Sequence, residues 1–227
     1  MTHPHQKRLG MLVIGQSPRA DVEAQMQSLV GPDVAITLRG ALDGMTRAEI
    51  AAIPPIDGDD TLFTKLPSGE GVTISKHVVE ARAKTQLAAM RAEGFTVTML
   101  CCTGEFPALD GEGLVVLPSA VLSGVVAGLL PRGKLGLLLP LAEQTDQLAA
   151  KWRRPGLEVV AVPLLPIADD ATVDQAAHRL AALSPDLVVM DCISYTQAMK
   201  DRVRAICPAP AILSLTAVAR VMREMLD

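Results

Sequence analysis

FTVTMLCCTG (95–104) and DLVVMDCISYT (186–196) are two short apolar runs, each closing on a cysteine with a hydroxyl side chain within two residues. Runs of this length, rich in Val, Leu and Met, read as strands buried on both faces, as in parallel sheets. Cys102 and Cys192 lie 90 residues apart and close the two runs in the same way. Working outward, strands are expected at Arg8–Ile14, Val34–Leu38, Leu114–Leu117, Lys134–Leu141, Leu157–Val162 and Ala211–Leu213. Helices are expected over Pro18–Leu29, Lys76–Glu93, Ala142–Arg153 and Thr172–Leu183, after Tyr195, and from Leu215. Strand alternating with helix is the signature of an α/β fold.

The order repeats. KLGLLLPL (134–141) echoes RLGMLVIG (8–15). Each begins a half whose later cysteine-ended strand matches its counterpart. The fold class is therefore α/β: two pseudo-symmetric halves, mostly parallel sheets and a cleft between them. The first half spans 1–112 and carries a strand-containing insertion at about 40–75. The second spans 113–213. Residues 214–227 form a C-terminal helix returning to the first half. In the insertion, Thr46 and Glu49 have capping-box spacing and Pro54-Pro55 stops the helix. Thr61–Leu66 and Val72–Ser75 pair around Pro67-Ser68-Gly69-Glu70, and Ser75 caps the long helix that follows.

Composition narrows the function. The 227 residues are 49% hydrophobic but only 2% aromatic, with a net charge of −4. Without clustered Lys or Arg, and with few rings to stack on, nucleic acid is not expected as a partner. The four cysteines show no metal-ligand spacing, so no metal is expected, and their small number with no leader segment points to the cytoplasm. Leu114–Pro131 carries no charge. Pro118-Ser119 divides it, so it reads as a strand and then a helix capped by Ser119, not a membrane span. That apolar helix belongs in the core or in an interface between copies; a homodimer is favoured.

Ligands of open parallel α/β sheets bind beyond the carboxyl ends of the strands. At the first such end, Gly15-Gln16-Ser17-Pro18-Arg19, Ser17 suits an N-cap, Pro18 the first helical position, and Arg19 a bidentate carboxylate contact. At the second, adjacent cysteines face opposite ways, so one of Cys101 and Cys102 faces the cleft, with Thr103 and Gly104 beside it. Glu143 and Gln144 follow the third. At the fourth, Cys192 precedes Ser194 and the single Tyr195, which either closes the pocket or lies on the surface. Ser214 and Thr216 add a late contribution.

IGQSPRADV (14–22), LRGALDG (38–44) and VVMDCISYT (188–196) resemble the AroM family, itself similar to the Asp/Glu/hydantoin racemase superfamily. The resemblance implies two α/β halves, no cofactor, and an active pair at Cys102-Thr103 and Cys192. The first motif here lacks the superfamily's Asn, and Ile193 stands where Thr is usual. The implied activity is a cofactor-independent racemase or isomerase. Cys102 and Cys192 would move a proton at a carbon next to a carboxylate or carbonyl of a small carboxylate-bearing metabolite, an amino acid or derivative. Two alternatives are a non-catalytic carboxylate-binding protein and a single-cysteine isomerase or decarboxylase.

Overall fold

The computed structural model describes residues 7–109, 113–142 and 145–227. The chain divides into two compact units, Met1–Pro118 with Val218–Asp227, and Ser119–Ala217. The first contains β1 (Lys7–Val13), α1 (Ala20–Val30), β2 (Val34–Gly40), α2 (Arg47–Ala51), β3 (Thr61–Lys65), β4 (Gly71–Ser75), α3 (Lys76–Ala92), β5 (Thr98–Cys101) and β6 (Val115–Val116). After α4 (Pro118–Leu129) come β7 (Gly133–Leu139), α5 (Thr145–Ala150), β8 (Leu157–Pro163), α6 (Asp170–Ala182), β9 (Leu187–Met190), α7 (Gln197–Ile206), β10 (Ala211–Leu213) and α8 (Ser214–Leu226).

Each unit is built on a parallel four-stranded sheet, ordered β2-β1-β5-β6 in the first and β8-β7-β9-β10 in the second. The two orders are the same once the antiparallel β3–β4 hairpin is set aside. Register carries the match down to single residues. Gly10 pairs with Thr37 and Thr98, and Gly136 pairs with Val160 and Val188. Counting four residues on from Thr98 and Val188, Cys102 corresponds to Cys192, and Cys101 to Asp191. The same count from Thr37 and Val160 matches Ala41 with Leu164.

The Leu-Gly echo has a packing cause. A Cβ at Gly10 would sit 3.0 Å from Thr98 Cγ2 and 3.1 Å from Met90 Sδ; at Gly136, 2.9 Å from Pro185 Cβ and 3.0 Å from Leu180 Cδ1. Both glycines let a helix and its connecting loop press on the central strand.

The insertion closes the core of the first unit. Leu62, Leu66 and Ile74 from the hairpin pack in one apolar cluster with Leu12, Leu100 and Phe106. Thr46 and Glu49 form the expected capping box, and Ser75 caps α3 through Val78 N–H. In α8, Val218, Ala219 and Met222 are fully buried. Within the first unit, Arg223 bonds Asp33 at 2.6 Å and Lys7 bonds Asp227 at 2.6 Å.

Some expected boundaries shift. Helix α1 begins at Ala20, with Arg19 at the N-cap position and no side-chain cap. Pro18 therefore precedes the helix, and Ser17 does not cap it. Helix α4 starts at Pro118, so Ser119 is inside it, and β6 shrinks to two residues. Helix α5 is six residues long, well short of Ala142–Arg153. Among the described residues, no helix is long and apolar enough to cross a membrane.

Two glycines give opposite expectations. Gly136→Ala meets rigid proline carbons and should cost about 1–3 kcal/mol. A Cβ added at Gly124, inside α4, would have nothing within 4 Å, so Gly124→Ala should stabilise by roughly 0.5–1 kcal/mol. Urea unfolding of both variants measures the contrast.

Candidate active site

Strand β5 ends at Cys101, and the chain turns there. Cys101 is buried; its thiol is pushed up to about 12 by desolvation, with the Arg19 charge opposing weakly. A thiol so held is inert as a nucleophile. Cys102, one residue on, is half-buried and packs only at the edge of the apolar cluster. The backbone N–H of Gly104 donates to Cys102 Sγ at 3.4 Å. A donor aimed at sulfur favours the thiolate over the thiol. Gly104 is closely confined: a Cβ there would lie 3.2 Å from Phe106 and 3.5 Å from Cys102 Sγ. Thr103 is buried.

The neighbouring loops of this unit interlock. Asp43 accepts from Ser17 N at 2.7 Å, Ser17 Oγ at 2.8 Å and Gly40 N at 2.8 Å. Gln16 Nε2 donates to the carbonyls of Leu42 and Met45, and Arg82 donates to those of Ala41 and Asp43. Gly40 allows the approach, since a Cβ there would lie 2.5 Å from the Gly15 carbonyl oxygen; a Cβ at Gly15 would instead meet Thr64 Oγ1 at 2.5 Å. The Gln-Ser-Pro-Arg and Gly-Ala-Leu-Asp-Gly stretches are thus two halves of one rigid corner. No local spacing marks Asp43 as the shared acceptor; Ser17 spends its hydroxyl on it.

Arg19 corrects an expectation. It is 4% exposed, and its guanidinium grips Asp21 through Nε at 2.9 Å and a terminal nitrogen at 3.0 Å. Lys65 joins Asp21 at 2.6 Å. Although burial opposes it, the hydrogen bonds from Arg19 and Lys65 hold the Asp21 carboxyl well below the usual range. Arg19 is thus buried and already paired with Asp21 inside its own unit.

In the second unit, β9 ends at Met190 and Asp191 follows, 2% exposed. Its carboxylate accepts from the indole N–H of Trp152 at 2.9 Å and pairs with Lys151 at 2.8 Å. Cys192 is half-buried and packs at the edge of the second unit's core, and Ser194 is half-buried beside it. Alternation along the chain thus sends the carboxylate inward and leaves the thiol at the strand end, as Cys101 and Cys102 do in the first unit.

Three further candidates are corrected. Tyr195 is fully buried and its hydroxyl donates to the Leu164 carbonyl, so it neither closes a pocket nor lies on the surface. Burial, with the nearby Cys192 and Asp191, pushes its phenol well above the ordinary range. Ser214 is also fully buried, with its hydroxyl on the Met190 carbonyl at 2.6 Å. Thr216 donates to the Leu213 carbonyl at 3.1 Å and is 7% exposed. Glu143 and Gln144 lie outside the described residues. Among the described residues, no three His, Cys, Asp or Glu side chains gather as metal ligands would.

The chain belongs to the AroM family: it matches the family described as AroM protein over residues 9–226. No curated protein matches the sequence. Among solved structures, it is similar to the maleate isomerase Iso from Pseudomonas putida, with 13% identity, a TM-score of 0.63, and coverage of 97% of this chain and 93% of that one. It is also similar to arylmalonate decarboxylase, at 15% identity and a TM-score of 0.62, covering 96% of this chain and 91% of that one. A third is the glutamate racemase from Francisella tularensis in complex with D-glutamate, at 12% identity and a TM-score of 0.61, covering 97% and 81% of the two chains. At these identities the likeness establishes the fold.

Burial orders the four thiols. Under brief iodoacetamide treatment of the native protein, Cys102 and Cys192 should alkylate at least about tenfold faster than Cys101 and Cys207. Peptide mass spectrometry reads the order.

Proposed function

We propose that this AroM-family protein is a cofactor-independent racemase or isomerase. In this reading, Cys102 and Cys192 act as a pair on one carbon beside a carboxylate or carbonyl of a small carboxylate-bearing metabolite. One observation carries the reading: strand register makes the two half-buried thiols counterparts, each one residue past a buried partner, Cys101 or Asp191. The fold shared with racemases, isomerases and a decarboxylase supports it.

The chemistry needs two one-sided groups, because inversion removes a proton from one face and returns one to the other. A thiolate takes the proton from carbon as the bond's electron pair moves toward the carboxylate. The opposite thiol then donates its proton to the other face, and the two thiols have exchanged protonation states. A free thiol titrates near ~8.5, so only a few per cent is ionised at neutral pH. The Gly104 N–H on Cys102 Sγ favours the charged form. On the other side, an uncompensated carboxylate at Asp191 would oppose a thiolate on Cys192 by like-charge repulsion. Lys151 pairs with the Asp191 carboxylate and the Trp152 indole N–H hydrogen-bonds it, so that charge is compensated.

The test is deuterium exchange from solvent into amino acids, hydroxy acids and cyclic imides, followed by proton NMR. Exchange at the carbon next to the carboxylate is expected in the wild-type protein. Cys102→Ser and Cys192→Ser should each lower it by about 100-fold or more. Loss in Cys192→Ser alone would replace the pair with a single-cysteine reaction. Tight carboxylate binding with no exchange across the panel would make the chain a binding protein instead.

A further inference from the structure

The second unit holds a cavity of about 470 Å³ beyond the carboxyl ends of β7 and β8. That is within the range of small-molecule sites, roughly 300–1,000 Å³. Its walls include Leu141, Pro163, Leu164, Leu165 and Ala168, and Thr172 is the one hydroxyl among its described lining residues. None of those lining residues is charged.

The helix start at the rim is already capped. Helix α6 starts beside the cavity, and its cap Asp169 already takes the Thr172 N–H at 2.9 Å. The helix N-terminus therefore offers a carboxylate little; Asp169 is exposed next to Ala168, and Asp170 is paired with Arg202 at 3.0 Å. Apolar side chains instead stand open to solvent there: Leu165 is 44% exposed and Ile167 48%.

The cavity wall is continuous with the packing of the candidate thiol. Leu164 and Ala168 belong to the same cluster as Tyr195, and Cys192 packs against that cluster. Tyr195 follows Cys192 by three residues and fastens its hydroxyl to the Leu164 carbonyl. At the corresponding place the first unit has a smaller pocket of about 120 Å³, lined by Ala41, Arg82, Thr85 and Gln86. There Ala41, the counterpart of Leu164, gives its carbonyl to Arg82, and Gly40 lies hard against the Gly15 carbonyl. The units share a topology and differ at this corner: one has a smaller, more polar pocket, the other a larger apolar one.

We infer that this cavity is a subsite for an apolar side group, branched alkyl or aryl, of the carboxylate on which the protein acts. The inference rests on the proposed function for its link to Cys192, and it narrows the substrate class to carboxylates with one charged end and one apolar end. A second carboxylate in the cavity would lose its hydration without gaining a partner among the described lining residues.

Calorimetric titration separates the inference from the reading beneath it. The probes are phenylacetate, 4-methylpentanoate and phenylalanine on one side, succinate and glutamate on the other. At least one apolar probe should bind about tenfold or more tightly than either dicarboxylate, one decade being about 1.4 kcal/mol. Ala168→Phe, which fills the cavity, should reverse that preference. Leu165→Asp alters a cavity-wall side chain that is 44% exposed, so the fold should hold by thermal melt, and it should weaken the apolar probes by a similar factor. Cys192→Ser should keep the binding preference while losing deuterium exchange. Dicarboxylates that bind as well as the apolar probes, or a preference unmoved by both cavity variants, would overturn the subsite. Absence of binding by every probe would do the same. A preference that both variants abolish, in a protein that exchanges no proton, would uphold the subsite and sink the two-thiol reading.

Discussion

The parallel ladder between β1 and β5 sets which cysteine can do chemistry. Val13 pairs with Cys101, the last residue of β5, and Cys102 falls one step beyond. Successive side chains on a strand face opposite ways, so a one-residue slip would bury Cys102 and expose Cys101. The ladder between β7 and β9 imposes the same arrangement, with Asp191 on the inward step and Cys192 on the next. The register is held by buried apolar residues on both faces of β1, β5, β7 and β9, and by the close approaches at Gly10 and Gly136. Hydrophobic packing far from either thiol therefore fixes their exposure.

The inward steps differ, and the difference is electrostatic. Cys101 is neutral and stays so, since desolvation opposes its ionisation. Asp191 brings a buried charge, which burial tolerates only when it is paired and hydrogen-bonded. Lys151 and Trp152 supply both from the segment after α5. The only tryptophan in the chain is thus spent on a carboxylate behind a thiol. In the first unit the comparable investment lies elsewhere, in Asp43 and Arg82, which lock two loops together.

Much of the fold is legible in the sequence because a strand buried on both faces cannot disguise itself. The runs at 8–14, 134–141 and 186–190 have few polar residues, and caps such as Thr46 and Ser75 lie within three residues of their partners. The candidate site is legible only in part. Placement in the two half-repeats and the family resemblance both favour Cys102 over Cys101, and Cys101 is the more buried of the two. The errors share one cause. Ser17 looks like a cap, but its acceptor is Asp43, 26 residues away. Tyr195 looks available, but its acceptor is Leu164, 31 residues away. Arg19 looks like a ligand contact, but Lys65 and Asp21 enclose it. Each is a polar group whose partner is chosen by tertiary packing, and local spacing carries no record of that choice.

The same reasoning explains why the apolar cavity is absent from any sequence motif. Its walls are Leu, Pro and Ala side chains that would serve equally well in a filled core. What leaves the space open is the size and course of the β8–α6 connection, Leu164 to Asp169, set against the corner after β7. In the first unit the equivalent corner is narrowed by Gly40 against the Gly15 carbonyl and by a carboxylate with three donors, leaving a pocket of about 120 Å³. A repeated topology thus fixes where a ligand would meet each sheet, while the loops decide what kind of group is welcome there.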